Sequence, residues 1–170
     1  GFRAAPPRQN AADGLRSLLY LEEQTRLRLE QENTQIEPGV LFTPPAASTY
    51  DGVEFLEFAV DEAVGARLSS WLKRLGFADA GKHRSKDVQL LRQGDINIVL
   101  NAEPYSFGHN FFEAHGPSLC ATALRVKDQQ AALKRATAFR GQPFRGLVGP
   151  NECEVPAVRA PDGSLLYLVE

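Results

Sequence analysis

One carboxylate stands out among the side chains of this sequence that could carry out acid–base chemistry. Glu57 interrupts the segment 52–60, GVEFLEFAV, which is otherwise rich in aromatic and β-branched residues. If Glu57 points inward from a strand, burial would raise its pKa and suit it to act as a general base. The simpler alternative is that Glu57 pairs with an arginine such as Arg92. The sequence leaves both alternatives open.

The three histidines are weaker candidates for a metal or catalytic site. His83 falls near the predicted end of a strand, and His109 and His115 lie in a crossover segment. None has a carboxylate at a metal-ligand spacing, and two imidazoles separated by five residues match no common site geometry. Structural or solvent-facing roles are therefore favoured for all three.

The cysteines and glycines also give no reactive site. Cys120 and Cys153 are too few for a disulfide framework and predict two reduced, partly buried thiols. Gly141, Gly146 and Gly149 lack the spacing of a phosphate-binding loop. No Ser–His–Asp or Cys–His arrangement follows from the spacing, so the sequence predicts no catalytic residue in this chain.

The stretch 88–103, VQLLRQGDINIVLNAE, predicts the hairpin around which the surrounding elements are arranged. Its two apolar runs flank Gly94-Asp95, a pair that tolerates the positive φ angles of a tight turn. Alternation in the second run places one set of residues on one face and the next set on the other: Ile96, Ile98 and Leu100 against Asn97, Val99 and Asn101.

The elements around this hairpin predict an α+β fold of two βαβββ units, and two such units usually pair their sheets into one cupped structure. The first unit has a strand at 52–60, a helix at 61–75, and strands at 78–84 and in the two hairpin arms. A crossover at 104–116, with one short helix around Phe111 and Phe112, leads to the second unit. There a strand at 119–126 and a helix at 128–140 precede strands near 143–148, 152–158 and 164–169. Capping aspartates, helix-ending glycines (Gly76 and Gly141) and turn glycines repeat at offsets of 67, 65 and 69 residues, which indicates duplication.

The composition divides the chain into three parts. Residues 1–34 predict a helix with an apolar stripe of Leu15, Leu18 and Leu19, and residues 35–49 have the proline-rich composition of a linker. Residues 50–170 form the duplicated module, divided into 50–116 and 117–170. The chain contains no methionine, even at position 1, so we expect it to be a piece of a longer protein.

The bulk composition is that of a globular protein without a charged or membrane-spanning signature. The chain is 43% hydrophobic and 24% charged with a net charge of −2, which favours neither nucleic-acid nor membrane partners. No apolar run approaches the roughly 20 residues that span a bilayer, and no signal peptide is recognisable. We therefore expect a cytoplasmic protein.

Several long segments carry a resemblance to a known family. GVEFLEFAV, LGFADAGKHRSKDVQLLRQGDINIVLNAEP, HGPSLCATALRVKD and the final GSLLYLVE together resemble the N-terminal half of 4-hydroxyphenylpyruvate dioxygenase, in the vicinal oxygen chelate superfamily. The preceding DGLRSLLYLEEQ is similar to the last helix of a xylose-isomerase-like TIM barrel. A barrel joined to a dioxygenase-like region is the layout of bacterial bifunctional 3-dehydroshikimate dehydratase fusions.

The resemblance implies that this half of the dioxygenase-like region holds no metal. In the catalytic half of the dioxygenases, two histidines and a glutamate hold the metal, and the matching positions here are Phe55, Ala121 and Tyr167. None of these side chains can replace the ligand it stands for. We therefore expect no cofactor-binding or metal-binding residue in this chain, and a divalent metal in the rest of the parent protein.

The resemblance also implies a function for the parent protein. It would convert 3-dehydroshikimate to protocatechuate in its TIM barrel, in quinate and shikimate catabolism, with this chain as a non-catalytic structural half. The expected partners are the preceding barrel, against which Leu15, Leu18 and Leu19 would pack, and the following metal-binding half, with homo-oligomer contacts as a further option. The alternative is the N-terminal half of a 4-hydroxyphenylpyruvate dioxygenase, which uses Fe(II) and O2 to make homogentisate.

Overall fold

The structure, a computed structural model, describes residues 18, 21–28, 31, 44–146 and 153–170. The chain divides into two compact units, Gly1–Thr43 and Pro44–Glu170. In the first unit residues 21–28 are helical, and the side chains of Leu18 and Leu21 are 64% and 59% exposed. Leu15 and Leu19, which share the predicted apolar stripe, lie outside the described residues.

The compact part Pro44–Glu170 contains two successive βαβββ units, as the sequence predicts. Its helices are α1 Glu62–Arg74, α2 Phe107–His115 and α3 Gln129–Ala138. Its strands are β1 Tyr50–Ala59, β2 Ala78–Lys82, β3 Val88–Gln93, β4 Ile96–Asn101, β5 Ser118–Val126, β6 Gln142–Phe144, β7 Ala157–Arg159 and β8 Leu165–Val169. Within the described part of the chain, no helix has the length and apolarity required to cross a bilayer.

All eight strands form one sheet, in the order β2-β3-β4-β1-β5-β8-β7-β6. Within each unit the first strand pairs in parallel with the last, β1 with β4 and β5 with β8. The two units meet where β1 pairs with β5 in antiparallel orientation. This arrangement is the vicinal oxygen chelate fold, so the predicted α+β fold class is confirmed.

The helices α1 and α3 begin at the predicted aspartates. The carboxylate of Asp61 accepts a hydrogen bond from the Val64 N–H at 2.6 Å, and that of Asp128 accepts one from the Ala131 N–H at 2.8 Å. Such N-caps satisfy backbone donors that the first helical turn leaves unpaired.

The two helices end alike in backbone geometry but not in residue type. Gly76 ends α1 with φ +98°, as predicted, whereas the equivalent left-handed position after α3 is Arg140, with φ +64°. The prediction that Gly141 fills this position is therefore wrong by one residue. Gly141 instead donates its N–H to the Ala136 carbonyl at 2.8 Å, and a Cβ there would lie 2.8 Å from the same oxygen. Close approach to the helix backbone, rather than a positive φ, explains this glycine.

The apolar core lies on the face of the sheet that α1 and α3 cover, called the outer face below. Leu72 of α1 packs with Leu91 and Ile98 of the hairpin. The predicted alternation in β4 is confirmed for Ile98 and Leu100, whereas Ile96 at the start of the strand is exposed. In the second βαβββ unit, Ala132 of α3 packs with Leu168 of β8.

The last strands are shorter than the sequence suggests. β6 ends at Phe144 rather than near 148, and β7 begins at Ala157 rather than near 152. Residues 147–152 lie outside the described residues. Pro156, which has no N–H to donate to a ladder, directly precedes β7 and helps to set its start.

Candidate functional site

The face opposite α1 and α3, called the inner face below, carries the side chains of interest. Along β1 the residues alternate, so that Leu56 and Phe58 pack with the outer core while Phe55 and Glu57 take the opposite face. Strand register extends this face sideways, because Glu57 is paired with Ala121 in β5, and Ala121 with Leu165 in β8. The inner face is thus built by alternation within strands and by register between them.

The crossover helix α2 covers part of the inner face. Its aromatic side chains Phe107, Phe111 and Phe112 pack against a buried cluster that includes Ala59 and Leu165. Ser106 caps the helix, since its hydroxyl accepts the His109 N–H at 3.0 Å. The sequence predicts this short helix but not the face on which it lies.

A cavity of about 790 Å³ opens between α2 and the inner face. Its walls come from both βαβββ units and from the crossover, and they include Glu57, Asn101, Phe107, Phe144, Arg159 and Tyr167. The cavity therefore combines carboxyl groups, basic side chains and several aromatic rings, and it is the candidate functional site.

Glu57 is the buried acid of this site, with only 9% of its surface exposed. Burial raises its pKa, and the hydrogen bond that the Asn101 amide donates to the carboxylate at 2.7 Å opposes the rise without cancelling it. The raised pKa favours the neutral acid, which can donate a proton in a hydrogen bond. The inward position and the raised pKa agree with the first of the two alternatives, whereas the role of Glu57 as a general base stays a prediction.

The alternative pairing of Glu57 with Arg92 is wrong. Arg92 lies in β3 opposite Asn97, and its Nε donates to the Asn97 side-chain oxygen at 2.6 Å. Glu57 lies two strands away in β1, paired with Val99 of β4. The strand order between the two residues, which a single sequence does not reveal, prevents their contact.

Cys120 lies beside Glu57 because β5 contains an irregularity at this point. Glu57 pairs with Ala121 and Phe58 with Leu119, so Cys120 is the extra residue, and it packs with Ala121 in the buried inner cluster. Its thiol lies 3.4 Å from the Glu57 main-chain carbonyl, and burial followed by the Glu57 charge raises the pKa of that thiol. A thiol held in its protonated form is a poor nucleophile.

The second thiol departs from the sequence prediction. Cys153 is exposed rather than partly buried, and neither cysteine is in a disulfide. It lies just before β7, in a stretch without regular structure, where surface positions are common.

The three positions that the family resemblance matches to metal ligands carry the side chains of Phe55, Ala121 and Tyr167. Phe55 and Tyr167 lie on the inner face with ring centroids 5.9 Å apart, and Ala121 lies beside them in β5. A phenyl ring and a methyl group offer no lone pairs, and burial raises the pKa of the Tyr167 hydroxyl away from the phenolate form. These three side chains do not fit a divalent metal ion, and we derive no chemical step through one.

The histidines do not converge on the cavity as a set. His83 follows β2, where its Nδ1 accepts the Ser85 N–H at 3.3 Å. His109 lies in α2 near Tyr105, and the His115 ring lies 4.3 Å from that of Phe111. Across the described ranges, no group of three His, Cys, Asp or Glu side chains could hold a metal ion.

Arg159 is a member of the site that sequence reasoning misses. Its guanidinium carbon lies 5.4 Å from the ring centroid of Phe107 and 5.3 Å from that of Phe144. Register pairs Arg159 with Leu165, which places both on the inner face. Arg159 lies two residues after Ala157 and therefore on the same face of β7. A strand of three residues is too short for this alternation to be recognised in the sequence.

The sequence of this chain is similar to those of a known family and of several named proteins. Residues 42–170 match the model of a family described as "Hydroxyphenylpyruvate dioxygenase, HPPD, N-terminal". The whole chain is 95% identical to a segment that makes up 27% of a Pseudomonas putida protein named 3-dehydroshikimate dehydratase. It thus spans about a quarter of that relative's length.

Two further similar proteins have names that include 4-hydroxyphenylpyruvate dioxygenase. Over 119 residues, which cover 70% of this chain and 33% of the relative, the chain is 44% identical to a 4-hydroxyphenylpyruvate dioxygenase from Pseudomonas sp. (strain P.J. 874). It also superposes, with a TM-score of 0.75 and 95% identity, on a solved "xylose isomerase-like TIM barrel/4-hydroxyphenylpyruvate dioxygenase fusion protein". That superposition covers all of this chain and 27% of the fusion protein.

Proposed function

Because the chain belongs to the family of hydroxyphenylpyruvate dioxygenase N-terminal domains, we propose that it is a metal-free, non-catalytic half of a dioxygenase-like region. The observation that carries this proposal is the set of three side chains at the metal-ligand positions, Phe55, Ala121 and Tyr167. Without imidazoles or a carboxylate there, the cup offers an iron ion no ligand set. The role of the module is then to fold, to present surfaces and to support its neighbours.

We further propose that the parent protein is a 3-dehydroshikimate dehydratase. In this proposal a divalent metal and the dehydration belong to a TIM-barrel domain, and protocatechuate is the product. The name of the P. putida relative, together with 95% identity along the whole chain, supports it. Residues 1–34 would be the last helix of the barrel, 35–49 the linker, and 50–170 the first half of the dioxygenase-like region.

The proposal is tested by assaying dehydration and metal content in the intact protein. Purified protein should convert 3-dehydroshikimate to protocatechuate, measured by the absorbance of the aromatic product. Phe55→Leu, a substitution at a metal-ligand position, should leave kcat within about twofold of wild type because that position touches no reacting group. A loss of dehydration in Phe55→Leu with the fold retained would contradict the non-catalytic role.

Metal analysis tests the same proposal independently of the assay. Residues 44–170, stripped with a chelator and reloaded with Fe(II), Mn(II) or Zn(II), should retain no stoichiometric ion after gel filtration. The paired control is the intact protein, which should retain its metal. Stoichiometric metal in the 44–170 piece would overturn the metal-free assignment.

A second candidate function follows from the family match and from the dioxygenase relative at 44% identity. The parent protein could oxidise 4-hydroxyphenylpyruvate to homogentisate with Fe(II) and O2 bound in another half. Oxygen consumption with 4-hydroxyphenylpyruvate decides between the two candidates, since the dehydratase proposal expects none.

A further inference from the structure

We propose that the cavity under α2 binds a small aromatic carboxylate, with Arg159 holding the carboxylate and Phe107 and Phe144 contacting the ring. The inference does not depend on the proposed function, because it concerns only the walls of this cavity. At about 790 Å³ the cavity is of the size that takes small organic ligands.

The aromatic wall is the first part of the argument. The rings of Phe107 and Phe144 meet edge to face with centroids 5.2 Å apart, and the ring of Phe111 lies 5.7 Å from that of Phe107. These three side chains come from α2 and β6, and all of them line the cavity. Such a cluster offers ring faces and edges to a planar ligand.

The second part is the charge on Arg159. One of its N–H groups donates to the Gly163 carbonyl at 3.1 Å, and the described residues supply no acceptor for the others. A guanidinium presents five donors in a planar fork, which suits two-point binding of a carboxylate. Its guanidinium lies over the Phe107 and Phe144 rings, so the donors of this exposed side chain lie beside the aromatic wall.

The balance of charges around the cavity also favours an anion. Three cations line it, Lys86, Arg145 and Arg159, against the carboxyl groups of Glu57 and Glu103. The Glu103 carboxylate already accepts the Asp87 N–H at 2.7 Å, and Glu57 is buried. Arg145 is paired with Glu154 at 3.6 Å, so the cation that faces the aromatic rings is Arg159, and an anionic ligand would be attracted to its charge.

The opposite side of the cavity offers polar groups for a ring substituent. Glu57 shares one row across the sheet with Arg159, because register links Arg159 to Leu165, then to Ala121 and to Glu57. Three strand spacings separate the two backbones, about 14 Å, and the side chains shorten that gap from both ends. Tyr167 also lines the cavity, and the described residues give its hydroxyl no hydrogen-bond partner. A ring hydroxyl on the ligand could therefore bond there.

Isothermal titration calorimetry of the intact protein tests the proposal with benzoate as the probe. We expect saturable binding that weakens about tenfold or more in Arg159→Gln, because a charge-assisted pair is lost. Benzamide, which lacks the negative charge, and cyclohexanecarboxylate, which lacks the aromatic ring, should both bind more weakly than benzoate. Arg145→Gln is the matched control, since it removes the same charge from a side chain that is 86% exposed at the rim, and it should change the affinity by less than about threefold.

A second variant keeps the test decisive if Arg159→Gln folds poorly by circular dichroism. 4-Hydroxybenzoate should bind more tightly than benzoate to wild type, and Tyr167→Phe should abolish that advantage while leaving benzoate affinity nearly unchanged. The proposal is overturned if no saturable binding occurs at millimolar benzoate. Equal weakening by Arg145→Gln and Arg159→Gln, or equal affinity for benzoate and cyclohexanecarboxylate, would overturn it as well.

Discussion

Glu57 is both a buried carboxyl group and part of the cavity wall. The sequence places it in an apolar strand, and the fold then encloses it between β4, β5 and α2, where only Asn101 and the neighbouring thiol offset the loss of water. A carboxyl group in such a position is easier to keep neutral than charged. Its presence in the wall of the cavity, rather than in the outer core, fits a polar contact with a ligand.

The raised pKa of Glu57 predicts a pH dependence of stability. Because the folded state holds this proton more tightly than the unfolded state, stability falls as the pH rises from the unfolded value, about 4.5, through the folded pKa. Glu57→Gln removes the titration, so the stability of the variant relative to wild type should be higher at pH 8 than at pH 5.

Urea unfolding of both proteins at the two pH values measures this gain. The control is Glu113→Gln, the same substitution at an exposed position of α2. A Glu57→Gln variant that tracks wild type at both pH values would show that Glu57 ionises without cost.

The two thiols should differ sharply in reactivity. Cys120 is fully buried and burial raises the pKa of its thiol, whereas Cys153 is exposed. A disulfide reagent such as Ellman's reagent should therefore label Cys153 quickly and Cys120 only upon unfolding. Mass spectrometry of labelled peptides, with and without denaturant, checks the order, and rapid labelling of Cys120 in the native protein would contradict the buried site.

At the scale of elements, the two long helices offer a matched pair of C-terminal turns. Gly76 and Arg140 occupy equivalent left-handed positions, but only Gly76 adopts that conformation without strain. Gly76→Ala should destabilise the protein by about 1–2 kcal/mol. Its new Cβ would also lie 2.7 Å from the Gln93 amide nitrogen.

Arg140→Gly should act in the opposite direction. Relief of the left-handed strain exceeds the added chain entropy of glycine, so a gain of about 0.5–1 kcal/mol in the free energy of unfolding is expected. Arg140→Ala is the control, since it removes the side chain but keeps the strain, and it should be near neutral. Thermal unfolding of all three variants measures the pattern.

These elements also show how far sequence reasoning reaches. Helix starts at Asp61 and Asp128 and the hairpin at Gly94 are set by neighbouring residues, so they were predictable within a few positions. The cavity was not predictable in this way. Phe107, Phe144 and Arg159 come from three separate elements, and only the strand order and the placement of α2 bring them together. The strand order also explains why the sequence suggested Arg92, rather than Asn101, as the partner of Glu57.

At the scale of the whole module, the sheet runs without a break from one βαβββ unit to the other. β1 and β5 exchange backbone hydrogen bonds along most of their length, and α2 packs against both strands. Neither unit can lose its first strand without exposing the inner cluster of the other. The two units should therefore unfold together, although each has its own outer core.

The single tryptophan allows this cooperativity to be tested. Trp71 lies in α1 of the first unit, whereas Leu165 is fully buried in β8 of the second. Leu165→Ala should cost about 2–5 kcal/mol through the cavity that it leaves. If the module is one cooperative unit, Trp71 fluorescence and far-UV circular dichroism should give the same unfolding midpoint, shifted equally from wild type. Leu91→Ala, a fully buried site in the first unit, is the control and should shift both signals alike. A Trp71 transition that stays at the wild-type midpoint in Leu165→Ala would mean that the two units unfold independently.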